Sequence, residues 1–122
     1  MKARPVKLVY GQGYFDCSVE EATHVELNMP GPIPTRYIPV ILRGTRAGTN
    51  CWSWNGSVNA PTLHPSVLST TQRLVGTKAV EVRCHTWITD GRAQFLPDTT
   101  HELSGQTVDL LDIEREEDVS EI

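Results

Sequence analysis

The chain has 122 residues, enough for one domain with a modest hydrophobic core. No apolar run approaches the roughly 18 residues of a membrane span, and no apolar stretch with a small-residue cleavage site follows the basic start, so neither a membrane nor a secreted protein is expected. The net charge of −4 is uneven: residues 112–122 carry six acids and one base, leaving nine acids and ten bases elsewhere. An electrically balanced body with an acidic tail lacks the basic stripe of a duplex-binding protein, so no nucleic-acid duplex is expected as a partner.

The first β-like stretch is KLVYGQGYF (7–15), followed by HVELNM (24–29), RYIPVILRG (36–44), SVLSTTQRLV (66–75), AVEVRCHTWIT (79–89) and RAQFL (92–96). Between them stand turn formers: Gly11, Gly13, the Pro30-Gly31-Pro32 and Pro34 cluster, Asn55-Gly56, Pro61, Pro65 and Asp90-Gly91. Helical periodicity is nearly absent. The pattern predicts an all-β domain over residues 1–111, either a compact small barrel or two packed antiparallel sheets, with 112–122 as an acidic tail.

Cys17 opens the first candidate site. Cys17 and His24, with Glu20 between them, flank a turn and offer thiolate, imidazole and carboxylate donors that suit zinc. Their ordinary alternative is a buried thiol and a surface histidine. Three widely spaced cysteines, Cys17, Cys51 and Cys84, make a disulfide framework unexpected and point to a reducing, cytoplasmic setting. Cys51, preceding Trp52, reads as a buried filler.

Trp52-Ser-Trp54-Asn-Gly carries two indoles on one strand face. They are either core or, together with Asn55, a stacking platform for a flat, nucleotide-like ligand. Asn55-Gly56 also predicts a tight hairpin turn, which accounts for the glycosylation-like Asn55-Gly56-Ser57.

The stretch CHTWITDGRAQFLPDTTHELSGQTV (84–108) is the densest in chemistry. A two-residue Asp90-Gly91 turn pairs Thr89 with Arg92, Ile88 with Ala93, Trp87 with Gln94 and Thr86 with Phe95. Alternation then puts Val80, Val82, Cys84, Thr86, Ile88, Ala93 and Phe95 on a dry face, and Arg83, His85, Trp87, Gln94 and Leu96 on the other. Cys84 and His85 therefore point apart and are not expected to share one ion. His85, Asp98 and His101 are the candidate catalytic groups: Asp98, three residues before His101, could orient its ring, though Asp98-Thr99-Thr100 also reads as a turn or cap. The signatures of a zinc deaminase, a phosphate-binding glycine loop and a Gly-x-Ser-x-Gly elbow are absent.

Residues 51–67, CWSWNGSVNAPTLHPSV, together with 84–108, resemble an uncharacterised bacteriophage and prophage domain family whose members are often labelled ammonia monooxygenase. The family pattern runs from a Cys-Pro-Gly-Cys-x-x-x-His knuckle through W-x-W-N-G-S and P-T-x-x-P-S to C-H-S-F with D-C-T-H-x-L-A-G-Q-T-V. The knuckle cysteine and histidine fall on Cys17 and His24. Glu20 and Thr99 stand where the family has cysteines, His64 replaces a small residue, and 31–50 read as an insertion. The resemblance implies a zinc site built from Cys17, His24 and His101 with Cys84 or His85. It also implies a phage accessory protein in the host cell cytoplasm that binds a small molecule or a host protein and modulates host processes such as immunity. A zinc-dependent hydrolase of a nucleotide-like substrate and a structural or assembly protein are the alternatives. The oligomeric state is not specified by the sequence.

Overall fold

The computed structural model describes residues 1–32, 35–44 and 50–113. Among the described residues nine strands form one sheet: β1 (Ala3–Val9), β2 (Gly13–Asp16), β3 (His24–Asn28), β4 (Thr35–Leu42), β5 (Trp52–Trp54), β6 (Leu63–Val75), β7 (Lys78–Thr89), β8 (Arg92–Phe95) and β9 (Thr107–Asp109). Their spatial order is β2-β1-β3-β4-β5-β6-β7-β8-β9, antiparallel throughout except for the parallel β4–β5 pair. The all-β expectation holds. The architecture is a single open sheet, neither a closed barrel nor two separate sheets.

The sheet bends so that its two halves approach. Leu111 donates its N–H to the Asn28 carbonyl (3.0 Å), Lys2 and Ala3 donate to Val58 O (2.7 and 3.0 Å), and Gly91 donates to Pro61 O (3.0 Å). One hydrophobic cluster results, joining Val25, Leu27, Ile38 and Val40 to Trp54, Leu63, Val67, Cys84, Ile88 and Phe95. This single cluster from both halves of the chain meets the core requirement of a domain this small.

Two local departures from the sequence reading have clear causes. The stretch 7–15 is a hairpin rather than one strand, because Gly11 and Gly13 adopt φ of 82° and 112° and Val9 turns back to pair with Gly13. The apparent insertion contributes β4, an internal strand pairing His24 with Pro39 and Asn28 with Thr35. The Asp90-Gly91 hairpin forms with the expected register, both turn residues at positive φ (49° and 78°). The dry face of β7 is shorter than expected. Beyond Ser69 and Val82, β6 and β7 run out as a two-stranded arm, and Val80 is 43% exposed, with no strand above it to cover it. Of the acidic tail, residues 114–122 lie outside the described residues, while Ile113 donates to Met1 O.

Candidate active site

The irregularity in β6 builds the site. Leu63 pairs with Ile88 and Val67 with Thr86, so His64, Pro65 and Ser66 stand opposite Trp87 alone. A bulge of this kind tolerates proline and re-aims the residues around it. It carries the hydroxyl of Ser66 toward His85 on the neighbouring strand, where Oγ and Nε2 are 2.8 Å apart. On the far side of the same ring, Nδ1 lies 3.0 Å from both carboxylate oxygens of Asp98. Asp98 comes from the loop that follows β8.

For the neutral ring this geometry selects one tautomer. A carboxylate can only accept, so Nδ1 carries the hydrogen and donates to Asp98; Nε2 then has a lone pair that accepts the Ser66 hydroxyl proton. The relay runs serine, imidazole, carboxylate, with each group in hydrogen-bond reach of the next. Ser66 is half-buried, and its carbonyl accepts a hydrogen bond from the indole Nε1 of Trp52 (3.1 Å), which braces the backbone of the bulge. Arg83 Nη1 approaches Asp98 Oδ2 at 3.8 Å. A cavity of about 310 Å³, lined by Asn50, Cys51, Trp52 and Pro65, opens beside the bulge.

The matching family model covers residues 14–96, about two thirds of the chain, and describes a bacterial ubiquitination-like system serine protease, BubE. The chain belongs to the BubE family. The matched stretch of this BubE protein contains Ser66 and His85 and ends two residues before Asp98. No curated protein and no solved structure matches the chain.

The remaining expected site residues are distributed as follows. His85 and Asp98 belong to one constellation, but the ring that Asp98 orients is His85, not His101. His101 lies on the opposite side of β7, its Nε2 2.9 Å from Cys84 Sγ and its ring edge-on to Phe95. Cys84 and His85 do face apart, as alternation requires. Cys17 follows β2, and His24 opens β3 on the other side of β1. His24 contacts Thr23 Oγ1 (2.9 Å) and packs edge-on against Tyr14. Among the described residues no three His, Cys, Asp or Glu side chains gather at one point. Of the ligands implied by the resemblance, Cys84 and His101 stand together, while His85 is held between Ser66 and Asp98, and no chemical step is routed through a metal.

The stacking platform gives way to packing. Trp54 is fully buried and donates its indole N–H to Ser57 O (3.2 Å), leaving no ring face for a ligand. Asn55 is a loop organiser: its Oδ1 accepts from Ser57 N and Thr62 N, and its Nδ2 donates to Ala60 O. Those bonds hold a longer loop in place of the expected tight Asn55-Gly56 hairpin. Cys51 is half-buried and lines the cavity, so it is not a buried filler.

Sequence reasoning missed Ser66. The signal available was a serine directly after Pro65 at the head of a strand, in a chain where Asp and His candidates already lacked a nucleophile. Without the bulge in view, Ser66 reads as an ordinary strand residue.

Proposed function

We propose that this BubE protein is a serine protease in which Ser66 is the nucleophile, His85 the general base and acid, and Asp98 the group that orients and stabilises the imidazolium. The observation carrying this reading is the continuous Ser66–His85–Asp98 hydrogen-bond relay. The family description supports the choice of an amide as substrate.

The steps follow from the proton positions. His85 Nε2 takes the Ser66 proton as Oγ attacks the scissile carbonyl, and the imidazolium gives that proton to the departing amine. Water then enters, is deprotonated by the same nitrogen, and releases the acid while Ser66 is re-protonated. Asp98 takes up no proton in either half of the cycle. In a ubiquitination-like system, a protein modifier is joined through its carboxyl terminus to an amine. The substrate is accordingly the amide that follows the carboxyl terminus of such a modifier. The hydrolase expected from sequence is retained, with Ser66 in place of zinc-activated water, and a purely binding or assembly role is set aside.

The test is cleavage of a carboxyl-terminally extended ubiquitin-like protein, followed by mass spectrometry. Wild type should release the extension, and Ser66→Ala should not. Equal cleavage by both proteins would remove the serine mechanism. In the same assay, a chelator should leave the rate unchanged.

A further inference from the structure

The loop that presents Asp98 is tied to β7 through Leu96, Thr99 and Thr100. Leu96 N–H donates to His85 O (2.8 Å), and Thr99 Oγ1 both accepts from His85 N–H (3.1 Å) and donates to His85 O (3.2 Å). Thr100 N–H donates to Arg83 O (3.0 Å), while Arg83 N–H donates to Thr100 Oγ1 (2.8 Å). All of these bonds meet the backbone of residues 83 and 85, along one edge of the strand. A row of bonds along one edge sets the height of a loop, yet it leaves rotation about that edge.

The side chains of the residues between and beside those anchors resist the rotation. On one face Asp98 holds His85; on the other His101 holds Cys84 (2.9 Å). His101 is itself oriented: its Nδ1 accepts the Leu103 N–H (3.3 Å), so its hydrogen sits on Nε2 and is donated to the Cys84 sulfur. Phe95 meets the ring edge-on, with centroids 5.0 Å apart, and Cys84 is 5% exposed.

We propose that Cys84 and His101 are positioning residues of the protease: their N–H···S bond under the sheet stops the 96–101 loop from swinging and so keeps Asp98 on His85 above it. This rests on the serine-protease reading for its effect on turnover, but not for its effect on the loop. The pair is the counterweight of the Asp98–His85 bond, placed on the far face by strand alternation. Neither residue touches substrate.

The experiment compares His101→Gln, whose amide N–H can replace Nε2–H, with His101→Met, which fills similar space without a donor. Cys84→Ala and the Cys84→Ala/His101→Met double variant complete the set, all in the full chain. His101→Met and Cys84→Ala should each lower kcat about tenfold with KM within twofold. The double variant should be no worse than Cys84→Ala alone, because the bond to His101 is already gone there. His101→Gln should recover most of kcat.

A second readout needs no turnover: the His85 Nδ1–H proton resonance, assigned by its disappearance in Asp98→Asn. It should be sharp in wild type and His101→Gln, and broadened or lost in His101→Met. If the Gln and Met variants are alike in both kcat and this resonance, the proposal is overturned, whatever their melting temperatures. Should Ser66→Ala cleave as fast as wild type, the protease reading fails instead, and the resonance still decides the loop.

Discussion

At the scale of single residues, the proposed chemistry rests on three side chains whose order in the chain is Ser66, His85, Asp98. Triads on other folds use other orders, and the shared feature is geometry and role, not position. Removing the hydroxyl in Ser66→Ala is expected to lower kcat by about 10⁴-fold or more while leaving substrate binding intact. Asp98→Asn should act differently. An amide can present its N–H to Nδ1 and so favour the wrong tautomer, and kcat should fall by about 10⁴-fold without loss of fold. Circular dichroism together with initial-rate kinetics checks both. His85 and Asp98 were legible in the sequence because imidazole and carboxylate are acid–base groups and both lie in the chemistry-dense stretch 84–108. Their partner Ser66 was not, since serine is common and its role arises only from where a bulge aims it. Asp98 was paired with His101 by nearness in sequence, whereas the strand pairing of β7 with β8 brings it to His85, thirteen positions earlier.

At the scale of elements, the most legible feature was the Asp90-Gly91 hairpin, in which local turn chemistry alone specifies the pairing. Gly91 has φ of 78°, and an added Cβ would lie 3.1 Å from Asn59 O. Gly91→Ala should therefore cost about 1–3 kcal/mol, read as a lower urea midpoint with an unchanged m-value. The β6–β7 arm was legible as two strands but not as an arm. Alternation assigned Val80 to a buried face, and only the three-dimensional extent of neighbouring strands shows that nothing covers it. The β5 strand is short and is marked in the sequence only by two indoles at period two. Its Trp54 nevertheless anchors the core, and Trp54→Ala should cost about 3–5 kcal/mol.

At the scale of the whole molecule, burial and proton binding are linked. Burial pushes the imidazole of His101 below its ordinary range, partly offset by Glu102, and pushes that of His24 down as well. Both histidines thus bind protons more readily unfolded than folded. The stability they contribute is fully present above the ordinary imidazole range near 6.5 and is lost as pH falls through their lower folded values. Melting temperature should decline between about pH 7.5 and 5.5, and the slope should flatten in His101→Gln. The all-β class was readable from turn spacing, but the single open sheet was not. Its curvature depends on pairings such as Asn28 with Leu111, between residues at opposite ends of the chain, which leave no local mark. Among the described residues no helix is long and apolar enough to cross a membrane.

The proposed turnover depends most on Ser66 being activated by His85. Labelling the intact protein with a fluorophosphonate, followed by peptide mass mapping, tests this directly. The expected result is one covalent adduct on Ser66, abolished in His85→Ala; no adduct, or an adduct on another serine, would contradict it.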